Sequence, residues 1–474
     1  MSSPHSGARA SELTDGDLLR PMLRVAWPLV LIQLLQVMYN VGDTFWLGRL
    51  SADAVGALSL AFPIVFLFIS VGAGFTAAGA ILVAQHTGAD VDREAGRIAG
   101  TTLGFVMLVS LVIAAVGYVA VEPLLDLLPA DAATAANVVP LAADYMRVFF
   151  LATPFMFGFF VFVSLMRGYG DTRGPLRVMV VSVALNLALD PLLIFGYGPI
   201  PGFGIEGAAW ATLFARLVAT AVGWYVLFGT DRGPAVRVGD LVPDLDIVRD
   251  VVKLGVPSAL EQSSTSFAFV VLTAMVSTFP PAIVAAYGLG NRLISLAFLP
   301  AMGLSQAVNT VVGQNLGAHK PDRAWRAVRA ALTVAVAVMI PVSLLTWLFP
   351  TAIVSVFLPP DAPDAATTVG YATSYLGVAA VMFAFTGVFE IGRGALRGAG
   401  RTTSALAFAF LGLWGVRVPA TYLLVFEYGW GTTGIWWAVV AGDVVGAVAV
   451  LAWLLHGTWT TSIVDPAEHA PTDD

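Results

Sequence analysis

Residues 34–49 read LLQVMYNVGDTFWLGR and interrupt a long apolar run with Gln36, Tyr39, Asn40 and Asp43. At spacings i, i+3, i+4 and i+7 these four share one face of a helix, and Gln33 extends the stripe by a turn. Asp43 is the one charge between Arg24 and Arg49. A carboxylate in the middle of a membrane helix costs at least ~2.5 kcal/mol, and such residues as a rule face a cavity and mark an ion pathway. The alternative is a packing hydrogen bond between helices, but four stacked polar groups exceed what packing requires.

Working outward, the whole chain has the composition of a membrane protein. Of its 474 residues 58% are hydrophobic and 12% charged, about half the charged fraction of a soluble domain. Mostly apolar runs recur to the C-terminal region, so the chain reads as polytopic. The first apolar run is too long for a signal peptide, and none is expected. Cysteine is absent, which excludes disulfides, thiolate nucleophiles and iron–sulfur clusters. The five histidines, His5, His86, His319, His456 and His469, show no metal-ligand spacing. No basic patch supports nucleic-acid binding. Net charge is −7, with Lys253 and Lys320 as the only lysines and an acidic end, DPAEHAPTDD; a halophile and a GC-rich genome both produce this pattern.

Hydropathy predicts an all-α integral membrane protein of twelve transmembrane helices, at 22–48, 53–83, 95–121, 138–167, 174–197, 204–228, 249–278, 282–313, 324–349, 366–396, 402–426 and 431–457. Arg20 and Arg24, Arg93 and Arg97, Arg167 and Arg173, Arg232 and Arg237, Lys320 and Arg323, and Arg397 and Arg401 all fall on one side. The excess of positive charge predicts that side, and both termini, to be cytoplasmic, in a plasma membrane.

The chain also repeats itself. Pro257 in KLGVPSAL matches Pro28 in RVAWPLVL (257 − 28 = 229), and Gln314 in GQNLGA matches Gln85 in AQHTGA (314 − 85 = 229). Arg397 in LRGAGRT matches Arg167 in MRGYGDT (397 − 167 = 230). Each half then holds six helices, an even number, so both halves insert with the same orientation. Two six-helix lobes related by a pseudo-two-fold axis along the membrane normal follow. The expected division is a polar N-terminus at 1–21, an N-lobe at 22–228, a linker at 229–248, a C-lobe at 249–457 and an acidic tail at 458–474.

Duplication makes asymmetry informative. Asp43 maps to Leu272 and Asp190 to Ala420, so a carboxylate pair exists in the first half alone. Asn186 lies one turn before Asp190, and Pro191 follows it, freeing a backbone carbonyl. Counted at ~1.5 Å per residue, Asp43 is about 9 Å, Asp190 about 10 Å and Thr212 about 12 Å from the outer helix ends. Tyr145 is near the outer end of its helix, so all four can converge on one cavity. Two carboxylates in a low-dielectric pocket either share a proton or hold a cation such as Na⁺, here at Asp43, Asp190, Asn186 and Thr212. Glu261 and Gln262 open EQSSTS in helix 7 and, like Gln36 and Asn40, are possible cavity-lining groups; a polar helix face is the equal alternative. Glu390 and Arg393 read as an intrahelical ion pair. Arg216, Arg292, Arg417 and Asp443 are expected to pair locally or snorkel.

YNVGDTFWLG, the AQHTGA and GQNLGA turns, the RGYGDT and RGAGRT turns and NLALDP together resemble the multidrug and toxic compound extrusion (MATE) family, over roughly residues 20–457. Asp43, Asp190, Tyr39, Tyr145, Asn186 and Thr212 resemble the first-lobe cation site of its archaeal and DinF-like branch. The resemblance implies a central cleft and export of cationic or amphipathic organic molecules against H⁺ or Na⁺, by a monomer that needs no cofactor beyond the coupling ion. It further implies that Pro28 bends helix 1. Glu261 lies nearer the start of helix 7 than the sodium-coupled NorM-type pattern wants. A lipid-linked sugar flippase would want a basic cavity, whereas the one read here is acidic. A membrane enzyme would want a catalytic cluster at a membrane face, and the short loops hold none. No P-loop is present.

Overall fold

The computed structural model describes residues 12–126, 132–358 and 365–464. The first eleven residues with His5, and the acidic stretch from residue 465 with His469, lie outside them. Twelve helices are long and apolar enough to cross a membrane. In the first half they are α1 (Leu19–Leu50), α2 (Ala52–Gly88), α3 (Asp92–Asp126), α4 (Val139–Tyr169), α5 (Arg173–Phe195) and α6 (Ile205–Gly229). In the second they are α7 (Leu245–Val276), α8 (Pro281–Gly317), α9 (Pro321–Leu348), α10 (Ala365–Gly398), α11 (Thr402–Glu427) and α12 (Thr432–His456). Among the described residues there is no β-strand, only an isolated bridge between Tyr197 and Ile200.

The ends follow the hydropathy reading closely; the largest differences are at α2, which ends five residues past 83 (88 − 83), and at α3, which ends five past 121 (126 − 121). The reason at α2 is its cap. Ala89 N–H donates to Gln85 O, Val91 N–H donates to His86 O, and Asp90 takes φ 60°. The same cap closes α8, where Ala318 donates to Gln314, Lys320 donates to Asn315, and His319 takes φ 56°. Asp and His are among the few non-glycine residues that tolerate this region. In the RGYGDT and RGAGRT turns, Gly170 (φ 100°) and Gly400 (φ 72°) are left-handed, and their flanking N–H groups satisfy the last carbonyls of α4 and α10. The quoted repeats are therefore helix caps with the same hydrogen bonds in each half.

The chain forms two compact units, one built on Leu31–Leu260 and the other on Leu13–Val30 and the chain from Glu261 onward. The boundaries inside α1 and α7 fall at repeat-equivalent places (260 − 30 = 230), just after Pro28 and Pro257.

In the first unit α4 runs through the middle, packed on α2, α3 and α6. Its phenylalanines sit in notches left by glycine: Phe157 against Gly72, Phe150 against Gly117 and Phe162 against Gly223. A Cβ at those glycines would stand 2.3, 2.2 and 2.7 Å from the rings. Small residues at helix contacts are how membrane helices gain dispersion energy where no hydrophobic drive separates protein from lipid. α10 plays the same part in the second unit, packed on α8, α9 and α12, with Tyr375 against Gly290 and Phe389 against Gly446. One difference breaks the repeat. α5 is a regular helix, whereas α11 contains π-helical turns at Leu411–Arg417 and Leu423–Glu427.

The predicted linker is docked. Its backbone lies on the Gly96–Gly100–Gly104 stripe of α3, where Ala235, Asp240 and Leu241 leave no room for a Cβ. Arg93 donates twice to Asp240, at 2.6 and 2.5 Å, and Arg97 pairs with Asp244. The Arg93 guanidinium and the Arg237 backbone N–H hold the Asp240 carboxyl below the usual carboxylate range. In the second unit the segment before α1 is held likewise, by Lys320 on Asp15 at 2.7 Å and by Arg323 on the carbonyls of Asp15 and Gly16.

Candidate functional site

The polar stripe of α1 divides when it folds. Tyr39 and Asp43 are buried; Gln36 is half-buried and Asn40 is exposed, with Gln36 Nε2 donating to Asn40 Oδ1 at 3.2 Å. A helical stripe spanning i to i+4 is wider than one interhelical seam, so its two edges face different surroundings. Thr44, the next polar residue, donates to the Asn40 carbonyl.

Helix α5 brings Asn186 and Asp190 to the buried edge of that stripe, both with no exposed surface. Asn186 Nδ2 donates to Asp190 Oδ1 at 3.2 Å, the i, i+4 contact read from LNLALDP. Thr212 from α6 and Tyr145 from α4 complete the group, both buried. Asp43 stands in the electrostatic surroundings of Asp190 and Asn186, Tyr39 in those of Thr212, Asp43 and Asp190, and Tyr145 in those of Asp43, Tyr39 and Asp190. The six residues read from sequence as a cation site thus lie inside one unit.

Among the described residues, Tyr39 Oη, Asp43 Oδ1, Asn186 Oδ1, Asp190 Oδ2 and Thr212 Oγ1 have no hydrogen-bond partner, and all five are closed to solvent. Buried polar atoms are normally satisfied, and groups left without partners call for a ligand or a functional account. Here all five are oxygens able to accept, and two of them belong to the carboxyls. Such a set suits a proton shared between carboxyls or a hard cation, which takes oxygen ligands. Among the described residues no group of three His, Cys, Asp or Glu has the arrangement of a resident metal centre.

Sequence reasoning missed one member. Arg216 was expected to pair locally or snorkel, yet it is 1% exposed and stands beside the same group. Its guanidinium carbon is 4.6 Å from the Tyr39 ring centre and 5.0 Å from that of Phe159, and Nη2 donates to Gln36 Oε1 at 3.0 Å. The available signal was its spacing, since Thr212 and Arg216 are i, i+4 on α6.

The second unit holds its own buried charges. Glu261 is 4% exposed, and its carboxylate accepts from Arg393 at 2.9 Å and from Arg397 at 2.7 and 3.2 Å. Arg393 also pairs with Glu390, as their spacing indicated. Gln262 is exposed. Asp443 accepts from Thr386 at 2.5 Å, Arg417 lies over Phe269, and Arg292 is exposed. Leu272, the repeat-equivalent of Asp43, is buried.

Comparison with known proteins places this architecture. The MatE family model matches residues 28–192 and 257–423, two copies whose starts are 229 apart (257 − 28). The chain is 32% identical to the multidrug resistance protein NorM of Burkholderia vietnamiensis over 98% of this chain and 99% of that one. It is 29% identical to the probable multidrug resistance protein YoeA of Bacillus subtilis over 91% of each. Among solved structures it is similar to a MOP superfamily transporter from Pyrococcus furiosus, with a TM-score of 0.86 and 25% identity over 94% of this chain and 96% of that one. The chain belongs to the multidrug and toxic compound extrusion family of membrane transporters and is not an enzyme.

Proposed function

We propose that this protein is a secondary multidrug exporter that moves cationic or amphipathic organic molecules out of the cell against inward H⁺ or Na⁺. It works as a monomer in the plasma membrane with both termini cytoplasmic, and its lobes, 22–228 and 249–457, alternate access between the two sides. The coupling ion is taken at Asp43 and Asp190, with Asn186, Tyr39, Tyr145 and Thr212 as supporting groups, and Pro28 lets α1 bend. One observation carries this reading. Two buried carboxyls stand within reach of each other, and no arginine, lysine or histidine forms an ion pair with either among the described residues.

Both cannot stay ionised and uncompensated in a low-dielectric interior. Cation arrival from outside neutralises the pair, and release of the bound substrate accompanies it. Cation departure inside restores the charge and the affinity for a cationic substrate. The flippase alternative has no observation in its favour. The test is efflux of a fluorescent organic cation from proteoliposomes under separately imposed Na⁺ and pH gradients. Asp43→Asn and Asp190→Asn each abolish gradient-driven efflux while the protein stays folded; full transport in both variants sinks the assignment.

A further inference from the structure

Arg216 is a buried positive charge with no acid at ion-pair distance among the described residues. Its one good hydrogen bond is to neutral Gln36, and Nε has no partner. An uncompensated guanidinium in the interior is costly, so its counter-charge must come through space. The negative group in its surroundings is Asp43. The ionisable groups facing this pocket are Tyr39 and Asp43 on α1, Tyr145 on α4, Asp190 on α5 and Arg216 itself on α6. With the tyrosines neutral, two negative charges face one fixed positive charge.

The ring of Tyr39 explains why no salt bridge forms. It lies under the guanidinium at 4.6 Å, while its hydroxyl end reaches towards Thr212 and Asp43. Arg216 thereby contributes its field to the carboxyls without occupying their oxygens, and one oxygen of each, Asp43 Oδ1 and Asp190 Oδ2, is left without a partner among the described residues.

We infer that Arg216 acts as a tethered internal cation that sets the coupling number of the Asp43–Asp190 site at one monovalent cation per cycle. One proton or one Na⁺ makes the pocket neutral while Arg216 is present; without Arg216 neutrality takes two. The inference rests on the assignment of that carboxyl pair as the coupling site. It makes Arg216 a specificity-determining residue, since it selects how much charge the site accepts and contributes no ligand of its own.

The test uses the full-length protein in proteoliposomes, with ethidium as the transported probe and the membrane potential clamped. One arm imposes a Na⁺ gradient at fixed pH and the other a pH gradient without Na⁺, which separates the two cation sources. In the native protein the limiting ethidium gradient follows the first power of the gradient of the effective cation. In Arg216→Gln it follows the second power, and the half-saturating cation concentration falls roughly tenfold or more, as expected when a nearby like charge is removed. Arg216→Lys keeps the charge and the native first power.

A uniformly slower Arg216→Gln with native power and native half-saturation overturns the inference, as does an Arg216→Lys that behaves like Arg216→Gln. Where Arg216→Gln does not yield folded protein, the double variant Asp43→Asn with Arg216→Gln decides. Recovery of folded protein supports charge compensation, and failure to recover overturns it. Full coupled transport by Asp43→Asn and Asp190→Asn alone marks failure of the underlying site assignment, and the charge count falls with it.

Discussion

Gly74 of α2 lies so close to Ala259 of α7 that a Cβ on the glycine would stand 2.5 Å from both the Ala259 nitrogen and its Cβ. The second unit repeats this contact 229 residues on (303 − 74; 259 − 30), where a Cβ on Gly303 would stand 2.4 Å from Val30 Cγ2 and 2.8 Å from its nitrogen. These contacts hold the first halves of α7 and α1 where the unit boundaries cross those helices. Backbone atoms cannot yield as a flexible side chain does. Gly74→Ala and Gly303→Ala are therefore each expected to destabilise by about 1–3 kcal/mol. Thermal unfolding of the detergent-solubilised protein measures this; an unchanged midpoint in both variants contradicts the close packing.

Asn186 holds Asp190 by one amide hydrogen bond at 3.2 Å. A hydrogen bond to a charged group contributes about 1.5–3 kcal/mol. Because that donor favours the ionised carboxyl, Asn186→Ala should lower the half-saturating concentration of a driving proton by roughly tenfold or more, with a maximal efflux rate near native. Half-saturation curves for the driving cation check this. A variant that loses rate but keeps its half-saturation shows that Asn186 serves packing alone.

Glu261 behaves differently because both carboxylate oxygens are engaged by Arg393 and Arg397. Breaking a buried ion pair by removing one partner costs about 3 kcal/mol or more, since the other charges remain. Glu261→Gln is expected to lower the unfolding temperature markedly. Protein that does fold should retain the native dependence of efflux on the driving cation. A changed cation dependence in a stable Glu261→Gln protein assigns coupling to the second unit instead.

The docked linker should respond to acid. The Asp240 carboxyl is held below its ordinary range by Arg93, so the contact contributes stability that is fully present above the unfolded value of about 3.9 and is lost as pH falls through the lowered folded value. Arg93 is half-exposed, which limits the effect to about 1 kcal/mol. Limited proteolysis within residues 231–242 should stay slow as pH falls towards 4 and accelerate below it. Asp240→Asn should show the faster cleavage already at neutral pH.

Much of this protein was legible in its sequence because membrane insertion imposes local rules. Backbone groups in lipid must be satisfied within each helix, so twelve apolar runs became twelve helices with ends displaced by a few residues. The repeated turns could be read because caps are local, and Asp90 and His319 adopt the same left-handed geometry at the same offset. Asp43, Asn186 and Asp190 stood out because an acid or amide in an apolar helix has few innocent explanations.

The tertiary structure alone decided which side chain meets which. It separated Asn40 from Tyr39 along one stripe, set Arg216 beside the carboxyl pair, and gave Glu261 to two arginines of the second unit. It also revealed that α1 and α7 each divide between units. Helical spacing specifies the direction a side chain takes from its own axis but not the neighbour waiting there. That choice rests on the rotation and depth of packed helices, which depend on small residues such as Gly74 and Gly303 and on contacts between residues more than a hundred positions apart.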